Sequence, residues 1–470
     1  MRDHGLEPHF PAAVVAETDA IPAAPTRTEE PVRDLRARPW CSIDNDDSKD
    51  LDQLSVAEAL TDGRVKVLVA IADVDAAVRR QSAIDRHAGL NTTSVYTPAK
   101  IFPMLPERLS TDLTSLGPDV ERLAIVVEIV VSASGEVEES DVYGARVRNQ
   151  AKLTYRAVGA WLAGQGPLPA DAAAVQGLDA QLRQQDEVAQ RLGRTRQEHG
   201  ALEFESVELA PRFDGDAVVG LQAELPNRAK LLIENLMIAA NAATARFLTA
   251  RRFPSIRRVV REPKRWDRIV ELARRTGDSL PSAPDSRALS AFLAARKAAA
   301  PDSFAELSHS VIRLIGSGEY AVEEPGADAP GHFGLAVRDY THSTAPNRRY
   351  PDLVTQRLLK AALAGHVVPY SIDALGQIAA HCTRQEDMAN KVERQVRKSA
   401  AALVMVSHVG ESFDAVVAGA SEKGVFVKLT APPVEGKLVR GERGLDVGDR
   451  VRVRLQSVDV ERGFIDFQAT

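Results

Sequence analysis

Residues 64–73 (RVKVLVAIAD) alternate apolar and polar positions at first and then run apolar without a break. This predicts a strand that passes into the interior of a sheet. Residues 122–131 form a second strong apolar run, a turn at Gly135 follows, and residues 137–147 alternate again, which predicts two more strands. Between residues 42 and 71, two strand-like runs surround an acidic loop. The period then lengthens. Residues 155–164 and 171–193 have helical spacing. Residues 231–250 (LLIENLMIAANAATARFLTA) are long, Ala-rich and free of Gly and Pro, and they give the clearest helix. Residues 353–364 and 372–406 also predict helices. From residue 411 the pattern changes to short Val-rich runs between glycines, which predicts four or five strands in a small β-barrel of OB type. Residues 1–38, rich in Pro, Ala and charge, predict an extended arm, with order beginning near Trp40.

Composition narrows the classes. With 470 residues and 44% hydrophobic content, the chain is globular, and two to four domains are expected at roughly 100–200 residues each. Lys and Arg total 59 against 65 Asp and Glu, a net charge of −6, so any polyanion must be met by a local patch. Residues 246–275 offer one, with 11 basic residues against three acidic. That stretch reads either as a backbone-tracking surface or as a solvated helix face. Two cysteines, Cys41 and Cys382, exclude a disulfide framework and a cysteine-based zinc site and suit a reducing compartment. No secretory h-region and no apolar run of about 18 residues is present, so a cytoplasmic protein with no membrane association is expected.

The densest chemistry is CSIDNDDSKDLDQL, which places Asp44, Asp46, Asp47, Asp50 and Asp52 in nine positions against one Lys49. Carboxylates this close raise one another's pKa unless a cation compensates, and a hard divalent ion takes such oxygen ligands. Asp50 and Asp52 share a face in an extended segment. A calcium-loop reading fails, because Lys49 stands where Gly is needed and Ser55 where Glu is needed. A merely solvated acidic turn is the other reading of this run. A second cluster, YTHSTAPNRRYPDL, holds Arg348 and Arg349 between prolines; such forks match phosphate oxygens, or equally form surface ion pairs. Aromatic residues are 5% of the chain, so Tyr96, Tyr155 and Phe204, in polar settings, are candidates for base stacking or for core packing.

Taken in order, SIDNDDSKDLDQL, TSVYTPAKIFPMLPERLSTDLTSL, AKLTY, ALEFES, LIENLMIAANAATARFL and HFGLAVRDYTHSTAPNRRYPDL resemble the ribonuclease II / ribonuclease R family of hydrolytic 3′-to-5′ exoribonucleases. The resemblance implies an α+β fold: an arm over 1–38, a mixed-sheet RNB catalytic domain with packed helices over 39–365, a helical extension over 366–408 and an OB-fold domain over 409–470. It implies that Asp44, Asp50 and Asp52 hold Mg²⁺ (Mn²⁺ as a substitute), with Asp50 and Asp52 catalytic. It implies that Arg348 stabilises charge on the scissile phosphate, with Arg349 beside it. Tyr96 and Phe204 match the rings that sandwich terminal bases, Tyr155 a ring that sets where shortening stops, and Glu234 a residue near the 3′ end. Single-stranded RNA is the expected partner, and no protein partner is predicted.

Three features depart from the family pattern. Gln53 replaces a usual aspartate and is left as a neutral metal donor. Asn347 sits in TAPNRR where TSPIRR is usual. The first 38 residues are too few for the cold-shock domains that typical members carry. Two further readings therefore stand beside the exoribonuclease. One is an RNA-binding protein whose exonuclease domain is weakened at Gln53; the other is a metal-dependent nuclease of short oligoribonucleotides.

Overall fold

Val and Ile runs build a seven-stranded mixed sheet. Its strands are β1 (Arg33–Asp34), β2 (Cys41–Asp44), β3 (Gln53–Ala59), β4 (Val65–Ala72), β5 (Glu121–Val131), β6 (Val137–Arg148) and β7 (Ala151–Thr154), in the spatial order β1-β6-β5-β4-β3-β2-β7. This is a computed structural model, and it describes all residues except 27–30, 206–208, 215–216, 224–226, 328–329, 422–423 and 446–447. The inner pairs are antiparallel, with Val69 opposite Val127 in β4 and β5. The two outer pairs, β1 with β6 and β2 with β7, are parallel. The near-continuous apolar run of β4 is buried along almost its whole length, as a central strand covered on both faces requires.

Four helices frame the sheet, α1 (Tyr155–Leu162), α2 (Leu178–Glu198), α3 (Arg228–Ala250) and α4 (Tyr350–Ala364), and a fifth, α5 (Ile372–Met405), packs on α4 and runs to the C-terminal strands. Helix α3 packs on β2, β4, β5 and β6 and also against α1 and α2. It is long and apolar enough to cross a membrane, but it lies mostly inside the protein. Its alanines explain why: small side chains let several elements approach one helix. The helices Trp266–Arg275, Ser286–Ala299 and Pro301–Ile315 enclose a separate small core of Trp266, Ile269, Phe292 and Phe304.

The C-terminal strands Ser412–Ser421, Gly424–Leu429, Glu435–Arg440, Arg450–Asp459 and Phe464–Ala469 close into a barrel, as the sequence predicts. Ala402 and Met405, at the end of α5, are fully buried in the barrel core, so the helix is part of that core.

The first residues differ from the expected extended arm. A helix, Ala12–Asp19, buries Val14 and Thr18, and Leu6 is 1% exposed. Glu17 Oε2 accepts from Ala83 N at 2.6 Å, at the start of the helix Ala83–Asn91. Arg108 donates to the carbonyls of Thr18 and Ile21. These partners are remote in sequence, so composition alone could not show that a Pro- and Ala-rich segment docks.

Candidate active site

The acidic loop runs between β2 and β3. Asp44 ends β2, and its Oδ1 accepts from Asn45 N at 2.7 Å and from Ser48 Oγ at 3.0 Å. Asp52 immediately precedes β3 and is 3% exposed. The arginine loop, residues 344–349, precedes α4. A second segment joins it: Ser94 N donates to Arg348 O at 3.0 Å, Tyr350 N donates to Thr92 O at 2.8 Å, and Thr93 bridges Arg349. That pairing brings the hairpin Val95–Tyr96/Ile101–Phe102, and with it Tyr96, beside Arg348.

These parts meet in one cavity of about 450 Å³. It is lined by Asp44, Asp50, Asp52, Gln53, Tyr96, Tyr155, Glu234 and Arg348, together with Asn45, Ser48, Lys230 and Ile233. Eight of the ten residues singled out from the sequence for metal, catalysis or RNA contact line this space. Arg348 Nε donates to Asp52 Oδ2 at 3.2 Å, and Asn347 N donates to Asp52 Oδ1 at 3.2 Å. The Tyr96 hydroxyl donates to Asp50 Oδ2 at 3.5 Å, and Tyr96 N donates to Glu393 of α5 at 2.8 Å. Tyr155 opens α1, where the Thr154 side chain caps the helix by accepting from Ala157 N. Lys230 Nζ lies 5.9 Å from the centre of the Tyr155 ring.

Two candidates lie elsewhere. Phe204 is half-buried against the small helical core of Trp266 and Phe304 and is not among the residues lining the cavity. The Arg349 guanidinium turns to Asp352 at 2.6 Å, so it braces the start of α4. Part of the basic stretch 246–275 is drawn into ion pairs with acids outside it. Arg258 meets Glu386 at 2.6 Å, Arg261 meets Glu319 at 2.5 Å, and buried Arg257 meets Glu323. Sequence reasoning missed Lys230, although it lies one helical turn before Glu234 on the same face of α3. It also missed Glu393, whose contact spans 297 residues and has no local signal.

Burial pushes the Asp52 carboxyl up to about 7, against the pull of Arg348 and with Asp50 adding to the rise. Burial also raises Asp50. The cavity is therefore short of positive charge where its carboxylates are deepest. Among the described residues, no three His, Cys, Asp or Glu side chains enclose a metal position by themselves. The donor set still suits a hard divalent cation, because it is all oxygen, and such an ion keeps water and substrate phosphate as ligands. Asp44, Asp50 and Asp52, with the Gln53 amide oxygen, are the residues available to hold it.

Comparison with known proteins places the chain. The RNB domain model matches residues 32–365, and the RNase II-type exonuclease C-terminal S1 domain model matches residues 411–470. Ribonuclease R of Vibrio cholerae is 32% identical over 511 residues, covering 100% of this chain and 60% of the relative. Ribonuclease R of Escherichia coli is 31% identical over 505 residues, covering 99% and 61%. The chain thus spans about three fifths of the length of these relatives. In structure it resembles Mycoplasma genitalium RNase R bound to ribose-methylated single-stranded RNA, with a TM-score of 0.89 and 22% identity, covering 100% of this chain and 76% of that one. It also resembles a yeast pseudonuclease, with a TM-score of 0.69 and 17% identity, covering 88% and 51%. With a family model matched over residues 32–365 and the S1 model over the barrel, the chain belongs to the RNB-domain family of ribonuclease II type.

Proposed function

We propose that the protein is a hydrolytic 3′-to-5′ exoribonuclease that degrades single-stranded RNA to 5′-mononucleotides with a divalent metal, Mg²⁺ or Mn²⁺. The observation that carries this reading is the contact between Asp52 and Arg348, 296 residues apart, inside a cavity that also holds Asp44, Asp50, Tyr96 and Tyr155. Asp44, Asp50 and Asp52 would hold the ion, with Gln53 as a neutral donor. When bound, the ion supplies positive charge to the phosphate and acidifies water. Arg348 keeps its charge at any working pH and offers guanidinium hydrogens to phosphate oxygens as negative charge grows on them. Tyr96 and Tyr155 offer ring faces to bases. Glu234 and Lys230, on one face of α3, line the wall beside them. The 3′-to-5′ direction and the RNA substrate rest on membership of the family, whose relatives include the ribonuclease R chains above.

A second reading, an RNA-binding protein with a weakened site, is favoured by one observation: Gln53 puts a neutral amide among the carboxylates of the cavity. One assay separates the two. Single-stranded RNA labelled at its 5′ end is incubated with Mg²⁺ or Mn²⁺ and wild type, Asp52→Asn or Gln53→Asp. A ladder that shortens from the 3′ end, at least about 100-fold slower in Asp52→Asn, is expected. RNA binding without cleavage in wild type, with cleavage gained in Gln53→Asp, would establish the second reading instead.

A further inference from the structure

The two loops that face each other across the cavity have no regular structure of their own. Their direct ties are Asn347 N and Arg348 Nε, and both end on the Asp52 carboxylate. That carboxylate and Arg348 are the groups that a cation and a phosphate would claim. Something else must hold the loops in register while those contacts are remade.

Thr114 and Ser115 are placed to do this. Ser115 Oγ donates to Lys49 O at 2.7 Å and accepts from Leu51 N at 3.0 Å, so one hydroxyl grips the backbone on both sides of Asp50. Leu116 N donates to Leu51 O at 2.9 Å and extends the grip. On the neighbouring residue, Thr114 Oγ1 lies 2.5 Å from the Asn347 amide and 2.9 Å from Leu109 O. Thr114, Ser115 and Asn347 are 4%, 2% and 1% exposed, and none of them lines the cavity. The support is fixed in turn. Residues Arg108–Leu113 form a π-helical turn, an uncommon conformation, and Thr114 N also donates to Leu109 O, at 3.1 Å.

The hydroxyl chemistry sharpens the picture. Thr114 has one hydrogen to give and two acceptors in reach, while Asn347 Nδ2 is buried without an acceptor. With the amide turned over, Nδ2 donates to Thr114 Oγ1 and Thr114 donates to Leu109 O. The chain of bonds then runs from the π-turn through Thr114 to the residue beside Arg348. An apolar residue at 347 could make no such bond.

We propose that Thr114 and Ser115 are positioning residues, a two-hydroxyl clasp that locks the acidic loop and the arginine loop in one register so that Asp50, Asp52 and Arg348 address the same phosphodiester. This rests on the exoribonuclease reading for its kinetic arm, and its second arm is independent of cleavage.

The test measures kcat and KM on single-stranded RNA for Thr114→Val, Thr114→Ser, Asn347→Leu and the double variant Thr114→Val/Asn347→Leu. Mn²⁺ titration is run on wild type and Ser115→Ala. Thr114→Val is expected to lower kcat about 10-fold, with KM within about 3-fold and Thr114→Ser close to wild type, the effect of one lost buried hydrogen bond. Asn347→Leu is expected to match it, and the double variant to be no worse than either single one, since both break the same link. Should Thr114→Val not fold, Asn347→Leu carries the same expectation. Ser115→Ala is expected to weaken Mn²⁺ binding about 10-fold, because Asp50 loses its backbone brace. An unchanged kcat in Thr114→Val and Asn347→Leu, or single losses that multiply in the double variant, would overturn the clasp. If wild type does not cleave RNA, the exoribonuclease reading fails and the Mn²⁺ arm decides alone. Equal Mn²⁺ affinity in Ser115→Ala and wild type, or no Mn²⁺ binding by wild type, then overturns it.

Discussion

Asp52 is a fully buried carboxylate in the cavity, and its charge is costly there. Its carboxyl, buried beside Asp50, sits at about 7 instead of near 4, and Arg348 at 3.2 Å offsets only part of the penalty. The sign follows from linkage. A carboxyl whose folded pKa lies above its unfolded value binds its proton more tightly when folded. Its contribution is fully present below pH 4 and is lost as pH rises to about 7, a loss on the order of 4 kcal/mol. Asp50, raised in the same direction, adds to the trend. In chelator, the melting temperature is therefore expected to fall between pH 5 and 8. Asp52→Asn should flatten that fall, and Mg²⁺ should reduce it in wild type by supplying the missing charge. Thermal melts of both proteins across this range check the claim; equal slopes in chelator would sink it.

At the scale of elements, most of the frame was legible in the sequence. The apolar run of β4, the alternation of β6 and the Gly- and Pro-free stretch of α3 each report burial that depends on residues close in the chain. The acidic and arginine motifs were legible as types, and the structure puts them in contact. What was not legible depends on partners far away. Phe204, which the sequence leaves between base stacking and packing, is half-buried against the cluster that includes Trp266 and Phe304. In the +8 stretch at 246–275, Arg257, Arg258 and Arg261 meet Glu323, Glu386 and Glu319, which lie outside the window that was counted. The first residues read as an arm, yet Leu6 and Met1 pack with Val95 and Phe102 of the Tyr96 hairpin and with Ala389 and Val392 of α5. That contact makes the N-terminal segment a support for Tyr96. Leu6→Ala is expected to cost about 2 kcal/mol, the low end for a buried leucine, because this cluster is small. The loss should be local. Amide hydrogen exchange should rise in residues 93–102 and stay unchanged in β5 and β6. Unchanged exchange in the hairpin would show that the segment merely covers the surface.

Over the whole molecule, α5 is the beam. Its 34 residues span about 50 Å, with Glu393 bonded to Tyr96 N near the cavity and Met405 buried in the barrel core. Barrel and cavity therefore share one helix, and under the exoribonuclease reading an RNA long enough to touch both would be held at two places. The barrel region has little net charge to attract a polyanion, with nine basic and ten acidic residues over 411–470. Under the exoribonuclease reading, the barrel is expected to hold RNA more by stacking than by charge. Phe467 is fully buried and Phe413 packs on the barrel core, whereas Phe464 is 56% exposed on the strand next to Glu435–Arg440. A ring more than half exposed is accessible to a base. Phe464→Ala is expected to weaken binding of long single-stranded RNA about 5- to 100-fold, the range for one lost stacking contact. Turnover of an oligonucleotide too short to leave the cavity should stay at the wild-type rate. The slope of log affinity against log salt should also stay the same, because no cation is removed. Binding titrations at several salt concentrations, run beside hydrolysis of short and long substrates, read all three quantities. A changed salt slope would show that the barrel meets the phosphate backbone instead of the bases. Equal losses on short and long RNA would show that Phe464 acts through α5 on the cavity.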